Sequence, residues 1–316
     1  MTESRSAIDL TPPDVTPYRR GNTGIDYVTT LDGGRPGPHV VINALTHGNE
    51  ICGAIAIDRL FRLGVRPARG RLTLVLANVA AYLGFDPDNP YASRCVEEDF
   101  NRVWSPEALD GRRDSCELRR ARQLRPVFES ADLLLDVHSM TNDTAPLTLC
   151  GRTARGRELA RRLGYPSWIV ADGGHASGRR LLDYGAFAAP DGGPTALLVE
   201  CGQHWKTGTA TVAVETCLRF LLNADIIDAD VALPHLRRRD EPLRMVEVTQ
   251  AVTARTDSFA FIRAFVGLEV LPRAGTLIAH DGDAPVVTPH DDCVLIMPAR
   301  RAKAGQTAVR LGRLVP

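Results

Sequence analysis

Four side chains that can bind a metal or move a proton each follow a short, continuous apolar run of strand length. His47 and Glu50 stand in the segment Thr-His-Gly-Asn-Glu, which opens a helical pattern. His138 and Glu200 follow two other runs. Ligands of open α/β sheets bind beyond the carboxyl ends of the strands, so all four are expected at one sheet edge. Two imidazoles and a carboxylate, with one position left for water, form the ligand set of a catalytic zinc site. The pattern predicts one Zn²⁺ per chain, with Glu200 as the carboxylate that accepts a proton from the water.

Each of these residues also has an ordinary structural interpretation. A His-x-x-Glu spacing arises by chance in many proteins, and a single histidine at a strand end is more often a hydrogen-bonded structural residue. Asp136, two residues before His138, either steadies the site or accepts hydrogen bonds from loop amides. His175 and His204 have no partner at ligand spacing, so neither is assigned to the metal. The metal prediction therefore rests on the conjunction of residue types with strand ends.

The elements that must position these residues follow an α/β pattern. Between residues 17 and 233, short apolar runs alternate with longer helical patterns, which is typical of an α/β layer fold. Continuous rather than alternating apolarity indicates strands covered on both faces, as in a largely parallel sheet. Four such runs span residues 40–42, 72–76, 133–135 and 196–199. We therefore predict a mixed, largely parallel sheet flanked by helices.

Composition changes along the chain predict its domain organisation. Residues 1–16 are polar, interrupted by prolines, and expected to be a loose leader. Residues 17–233 carry the α/β pattern and the candidate site, and residues 234–243 form a polar linker bounded by prolines. Short β-like runs separated by turn signals follow in residues 244–316, which predicts a small C-terminal all-β domain.

The motifs and their order resemble a known family. The segment HGNE is followed by D-x-N-R at residues 99–102, D-x-H-S at residues 136–139, and V-E at residues 199–200. This succession resembles the succinylglutamate desuccinylase and aspartoacylase family of the zinc carboxypeptidase clan. The match spans about residues 38–205, and the β-rich tail resembles the family's C-terminal domain. The resemblance implies a zinc-carboxypeptidase-like fold and hydrolysis of amides.

The resemblance also implies roles for further residues. Asp99 matches the acid that hydrogen-bonds the first histidine ligand and fixes its orientation. Asn101 and Arg102 match the pair that binds a substrate carboxylate. Arg94 matches the arginine that polarises the scissile carbonyl, and Glu200 matches the general base that later serves as general acid.

The chain departs from the family pattern at the far side of the substrate pocket. Aspartoacylase contributes a C-terminal tyrosine there, whereas the last tyrosine of this chain is Tyr184. His280 or His290 could take that place, although both also fit ordinary loop histidines. Arg179 and Arg180 match a substrate-binding arginine of the family in rough position only. The identity of the acyl group is therefore not inherited from the family.

Composition restricts the class of protein. The formal net charge is zero, so the chain has no bulk attraction to nucleic acid or to anionic membranes. The seven cysteines are scattered and form no CxxC pair, which favours reduced thiols in a cytoplasmic protein. No apolar run approaches the length of a membrane span. We expect a small-molecule substrate and no nucleic-acid or membrane partner, and leave assembly into a homo-oligomer open.

Three functions fit these observations. The first is a zinc-dependent hydrolase that removes an acyl group from the nitrogen of an amino acid or related small carboxylate. The second is a metallocarboxypeptidase that trims a peptide C-terminus with the same groups. The third is a zinc-binding module without catalysis, and the presence of Glu200 and Arg94 beside the ligands argues against it, because metal binding alone needs neither.

Overall fold

The computed structural model describes residues 7–174, 177–238, 241–299 and 301–315. His175, like residues 239 and 240 of the predicted linker and residues 1–6 of the predicted leader, lies outside these ranges. The α-helices of the described residues are α1 (Ile51–Arg62), α2 (Val79–Leu83), α3 (Pro106–Leu109), α4 (Cys116–Glu129), α5 (Ala154–Leu163), α6 (Thr207–Asn223) and α7 (Ala229–Ala232). Within the described ranges, each helix is too short or too polar to cross a bilayer.

The strands fall into one large sheet and one small sheet. They are β1 (Val28–Asp32), β2 (His39–Ala44), β3 (Arg71–Leu76), β4 (Leu133–Met140), β5 (Leu147–Leu149), β6 (Trp168–Ala171), β7 (Thr195–Gln203), β8 (Arg244–Thr253), β9 (Phe259–Phe261), β10 (Val270–Leu271), β11 (Leu277–Asp281), β12 (Ala284–Val287), β13 (Cys293–Ile296) and β14 (Thr307–Val315). The large sheet has the order β1-β3-β2-β4-β7-β5-β6-β8-β14-β13-β10, and the small sheet has the order β12-β11-β9.

The centre of the large sheet confirms the predicted fold class. Strands β3, β2, β4 and β7 run parallel, whereas β1 and β5 are antiparallel to their neighbours β3 and β7. Every residue of β2 and β7 is buried, because side chains alternate between two apolar layers. Even-numbered Val40 and Ile42 face the layer that contains α1 and α6, while Val41 faces the layer that contains α4.

Two of the predicted strand ends differ from the observed ones. His138 and Glu200 lie inside β4 and β7, which continue to Met140 and Gln203 instead of ending before the two residues. The pairing of β4 with β7 is irregular here, because its register shifts between His138 and Met140. The shift lets the strands carry their polar side chains at the sheet edge while their backbones remain hydrogen-bonded.

The segment before Thr16 is packed rather than loose in its described part. Leu10 and Val15 are buried in the core layer that also contains α1. The amide of Asp9 donates a hydrogen bond to the carbonyl of Trp205 at 2.9 Å. The buried side chains and this hydrogen bond hold the described part of the predicted leader against the core.

The C-terminal strands extend the large sheet. β8, the first strand after the predicted linker, pairs in parallel with β6 from Trp168↔Arg244 to Ala171↔Glu247. β14 then pairs antiparallel with β8, and β13 and β10 follow at the edge. The backbone of the C-terminal region is thus hydrogen-bonded directly to the sheet that carries the candidate site.

Candidate active site

Three buried side chains converge at the carboxyl ends of β2 and β4. Nδ1 of His47 lies 2.7 Å from Oε1 of Glu50, and Nδ1 of His138 lies 3.0 Å from Oε2 of the same carboxylate. One donor atom from each residue lies within 4.8 Å of the other two. The structure thus brings together the three residues that the sequence predicts as metal ligands.

The turn after β2 explains how His47 and Glu50 reach this position. Leu45, directly after the strand, has a φ of 59°, which turns the chain sharply away from the sheet. A Cβ atom on Gly48 would lie 2.4 Å from the backbone of Ala81 and of Ser93, so only glycine fits. The Gly48 amide donates a hydrogen bond to the carbonyl of Arg94 at 3.1 Å. The turn is therefore locked to the segment that carries Arg94.

Each histidine is held by a second carboxylate on its other nitrogen. Nε2 of His47 lies 3.0 Å from Oδ1 of Asp99, and Nε2 of His138 lies 2.8 Å from Oδ2 of Asp136. Oδ1 of Asp136 also accepts hydrogen bonds from Asn43 and Thr46. Both acids can only accept hydrogen bonds when ionised, so they orient the imidazoles with the Nε2 proton outward.

This arrangement fits a bound cation. With the proton on Nε2, the Nδ1 lone pairs of His47 and His138 point toward the Glu50 carboxylate, so that acceptors face acceptors. Positive charge between them removes the conflict, supplied by a metal ion or by an added proton. Burial lowers the pKa of His138, but the charges of Asp136 and Glu50 outweigh it and raise that pKa well above its ordinary value. Two imidazoles and a carboxylate are one of the donor sets found at catalytic zinc sites.

Glu200 lies beside this group. It pairs with His138 in the β4–β7 register, and its side chain is buried, with Oε2 accepting no hydrogen bond from the described residues. Burial raises the pKa of Glu200 to about 8; the Glu50 charge adds to this, whereas His138 and Arg94 oppose it. A carboxyl whose pKa lies near neutrality can both accept and return a proton.

The segment after α2 brings two charged residues of the predicted set, Arg94 and Asp99, to the candidate metal ligands. Nη2 of Arg94 lies 2.9 Å from Oδ2 of Asp99, and its Nη1 lies 3.9 Å from Oε1 of Glu50. Burial would raise the pKa of Asp99, but His47 and Arg94 lower it, so the carboxylate stays ionised. Arg94 thus lies against the Asp99 carboxylate that holds His47.

Asn101 and Arg102 continue this segment. The Asn101 side-chain oxygen accepts a hydrogen bond from the Leu181 amide at 2.9 Å, so its NH₂ group has a fixed direction and donates to no described residue. Arg102 donates from Nε to Ser177 Oγ at 3.1 Å and from Nη1 to the Asn101 carbonyl at 2.7 Å. No described carboxylate forms an ion pair with Arg102, which leaves its charge available to an anion.

Comparison with known proteins places the chain in a family. Residues 36–217 match the succinylglutamate desuccinylase/aspartoacylase catalytic domain. The chain belongs to this family. The match covers the sheet from β2 to β7 and every residue of the site described above.

Individual relatives agree with this membership. The chain is 26% identical over 298 residues to a succinylglutamate desuccinylase from Burkholderia lata, which covers 87% of this chain and 78% of the relative. Its fold is similar to that of a succinylglutamate desuccinylase from Vibrio cholerae (TM-score 0.67, 17% identity, 92% of this chain and 86% of the other). It is also similar to the product-bound ectoine utilization protein EutE (DoeB) from Ruegeria pomeroyi (TM-score 0.63, 17% identity, 92% of each chain).

Among the two arginines that match the family only in rough position, Arg180 is the buried one. It donates from Nε and Nη2 to Asp183 at 2.6 and 3.2 Å, and from Nη1 to Asp172 at 2.8 Å. Arg179 is exposed and lines a neighbouring cavity of about 700 Å³. The amide of Leu181, the residue after Arg180, donates a hydrogen bond to Asn101, so the Arg180 segment contacts the segment that carries Asn101.

The C-terminal histidines and His204 are not part of the group formed by His47, Glu50 and His138. His280 is exposed on β11, and Nε2 of His290 lies 3.0 Å from Oγ1 of Thr249 on the C-terminal sheet. His204 is buried, with Nδ1 2.8 Å from Ser139 Oγ and Nε2 3.3 Å from Thr141 Oγ1. It supports the strand end after His138 and contributes no atom to the metal-ligand group.

Glu117, in the first turn of α4, is a residue of the site that the sequence analysis missed. Its buried carboxylate accepts hydrogen bonds from the amides of Val96, Glu97 and Glu98 at 2.6, 3.1 and 3.3 Å, and from Asn78 at 3.1 Å. Three consecutive amides between Arg94 and Asp99 are thus fixed by one side chain. No sequence pattern marked this role, because three of the four partners are backbone amides about twenty residues away.

Proposed function

We propose that this chain is a zinc-dependent hydrolase that cleaves the amide bond of an N-acyl amino acid or a related small carboxylate. Membership of the succinylglutamate desuccinylase/aspartoacylase family supports an amide hydrolase. The observation that carries the proposal is the joint arrangement of His47, Glu50 and His138 with an under-partnered Glu200 beside them.

The metal is the first part of the proposal. His47, Glu50 and His138 would hold one zinc ion, with Asp99 and Asp136 orienting the imidazoles. Zinc bound there would act as a Lewis acid and lower the pKa of a coordinated water to about 7. The three protein ligands leave a coordination position for that water and for the substrate carbonyl.

Glu200 would transfer the proton during cleavage. Its carboxylate lies next to His138 and has an oxygen without a protein donor, so it can accept a proton from the attacking water. The same carboxyl then donates that proton to the nitrogen of the leaving amine, which completes the cleavage without leaving the amine negatively charged. A pKa near neutrality suits both directions of transfer.

Charge stabilisation and substrate binding fall to the segment that Glu117 fixes. The Arg94 guanidinium, next to Glu50 and Asp99, would stabilise the negative charge that develops on the carbonyl oxygen. Arg102 and the oriented NH₂ group of Asn101 would bind a substrate carboxylate in a forked contact. Among the described residues, neither the Asn101 NH₂ group nor Nη2 of Arg102 has a hydrogen-bond acceptor, so both are available to the substrate.

A substrate screen tests this proposal. Purified, zinc-loaded protein is incubated with a panel of N-acetyl and N-succinyl amino acids and with C-terminally free dipeptides, and amine release is measured. We expect hydrolysis of at least one N-acyl amino acid at a rate far above that of the Glu200→Gln variant. Faster cleavage of dipeptides would indicate a metallocarboxypeptidase instead of a deacylase. If wild type and Glu200→Gln release amine equally from every substrate, the protein is a non-catalytic zinc-binding module.

A further inference from the structure

Tyr91 is a half-exposed aromatic residue three positions before Arg94. Its exposed fraction is 46%, and its carbonyl accepts a hydrogen bond from the Arg94 amide at 3.2 Å, which closes a 3-10 turn. Its ring centroid lies 5.0 Å from that of Trp205 and 6.3 Å from that of His204, and both contacts are edge-on. Trp205 and His204 are themselves buried. Tyr91 therefore packs one side of its ring on two buried rings, and the other side remains exposed.

The two buried rings contact the chain on both sides of the candidate metal-ligand group. Nε1 of Trp205 donates a hydrogen bond at 3.1 Å to the carbonyl of Asn49, the residue before the glutamate ligand. Nδ1 of His204 lies 2.8 Å from Oγ of Ser139, the residue after the second histidine ligand. Since Tyr91 packs on both rings, it borders the candidate metal site.

Tyr91 and Arg102 approach this site from opposite faces of the large sheet. Trp205, on which the Tyr91 ring packs, lies in the apolar layer that contains α1 and α6. Phe100 and Leu181, which adjoin the segment of Arg102, lie in the layer that contains α4. A substrate with its carboxylate on Arg102 and its scissile bond at the candidate ligands would therefore extend its acyl group toward Tyr91.

The ring cluster of Tyr91, Trp205 and His204 carries no net charge at neutral pH. Burial lowers the pKa of His204 to about 4, so its imidazole is neutral. Lys206, directly after Trp205, is a cation, but its Nζ is paired with Asp143. Apolar and aromatic groups gain free energy by packing on such rings, whereas a carboxylate there loses water without gaining a partner.

We propose that Tyr91 is a specificity-determining residue that packs against an uncharged, apolar or aromatic acyl group of the substrate. This inference rests on the proposed function in that the bound molecule is an N-acyl amino acid, and it narrows the substrate class to amides whose acyl part has no carboxylate. The acyl group would cover the part of the Tyr91 ring that Trp205 and His204 leave exposed. A succinyl group would be disfavoured, because its free carboxylate would face the rings.

The test measures the binding of three N-acylglycines by isothermal titration calorimetry. The protein is zinc-loaded Glu200→Gln, so that turnover does not consume the ligand. Glycine is the smallest amine part, and the acyl group is benzoyl, acetyl or succinyl. We expect N-benzoylglycine to bind about tenfold tighter than N-acetylglycine, from one added aromatic contact and the area that it buries. N-succinylglycine should bind no tighter than N-acetylglycine.

Variants of Tyr91 in the same background assign the preference to its ring. Tyr91→Ala should lose the benzoyl preference, and Tyr91→Phe should keep it, because the ring rather than the hydroxyl makes the contact. Tyr91→Leu keeps apolar bulk without a ring and should show a clearly smaller preference, which gives a second measurement if Tyr91→Ala does not fold. Val287→Ala, at a 42% exposed residue of β12, is the matched control and should keep the preference.

Three results would overturn the assignment. The first is benzoyl binding no tighter than acetyl binding, or succinyl binding tighter than acetyl binding, in the protein that retains Tyr91. The second is an undiminished benzoyl preference in Tyr91→Ala or Tyr91→Leu. The third is a loss of affinity by the same factor for all three ligands in these variants, which would mean that Tyr91 acts only by shaping the turn that carries Arg94.

The two proposals fail separately. Absence of amide hydrolysis by the wild type, together with a Tyr91-dependent benzoyl preference, removes the hydrolase and keeps the subsite. Hydrolysis of N-acyl amino acids, together with binding that does not depend on Tyr91, keeps the hydrolase and removes the subsite.

Discussion

Asp136 and His138 lie two residues apart on β4, and Oδ2 of Asp136 lies 2.8 Å from Nε2 of His138. The other Asp136 oxygen is held by Asn43 and Thr46, so the acid cannot turn away from the imidazole. The strand therefore supplies a candidate metal ligand and the group that orients it within a single three-residue stretch.

This relationship predicts the metal content of four proteins. Elemental analysis of the wild type should give one zinc per chain, and His138→Ala should retain little. Asp136→Asn should bind zinc about 10–100-fold more weakly, because the amide no longer polarises and orients the imidazole in the same way. His290→Ala is the control and should keep its zinc. Equal zinc contents in all four proteins would remove the metal assignment.

Glu200→Gln should separate metal binding from turnover. The amide keeps the shape of the side chain but accepts no proton from water, so kcat should fall by about two to four orders of magnitude. Zinc content should stay at the wild-type level. A variant with near wild-type kcat would mean that the base lies elsewhere.

Arg94 and Arg102 should affect different kinetic constants. A donor used mainly in the transition state lowers kcat when removed, whereas a group that binds substrate and transition state equally raises KM. Arg94→Ala should therefore act chiefly on kcat, and Arg102→Ala chiefly on KM. Conversion of the substrate carboxylate to an amide should impair the wild type far more than Arg102→Ala. Equal discrimination by the two proteins would show that Arg102 does not bind this carboxylate.

Glu117→Gln tests the anchoring of the segment that carries Arg94 and Asp99. A glutamine places an NH₂ group against backbone amides, so at least one donor loses its partner, at a cost of about 1–3 kcal/mol. We expect kcat/KM to fall by about tenfold or more, with zinc content near normal, since no ligand lies on this segment. Glu107→Gln, an exposed glutamate of α3, is the matched control and should be unchanged. Wild-type kinetics in Glu117→Gln would contradict the anchoring role.

His204 predicts a dependence of stability on pH. Burial lowers its pKa from 6.5 to about 4, so the folded protein keeps it neutral while the unfolded chain takes up a proton below pH 6.5. Its contribution is therefore complete above pH 6.5 and is lost as the pH falls toward 4, by about 3 kcal/mol in all.

Urea unfolding of wild type and His204→Gln between pH 7 and pH 4.5 measures this contribution. The free energy of unfolding should fall more steeply in the wild type, because glutamine at this position takes up no proton. Parallel pH profiles for the two proteins would mean that His204 does not carry the effect.

Local patterns were sufficient for the centre of the fold and for the metal-ligand group. Continuous apolar runs predicted β2, β3, β4 and β7, since strands covered on both faces have no polar side to interrupt the run. Their parallel pairing brought His47, Glu50 and His138 together, as expected of residues near the carboxyl ends of neighbouring strands.

The rest depended on contacts between distant segments. Arg310 lies 138 residues after Asp172, and no local periodicity marks either as a partner of the other. Glu117 is one of many charged residues of α4, and three of its four partners are backbone amides, which carry no sequence signal. Likewise Leu10 and Val15 were two isolated apolar residues until the core that covers them was known.

The pairing of β6 with β8 has a consequence for folding. A chain that ended near Leu233 would leave one edge of β6 without its partner, and an open buried edge invites pairing with another molecule. Backbone hydrogen bonds cross from residues 168–171 to residues 244–247, so heating should melt the two regions in one transition rather than two. Residues outside the candidate site would then determine, through shared strands, how long the site survives at high temperature.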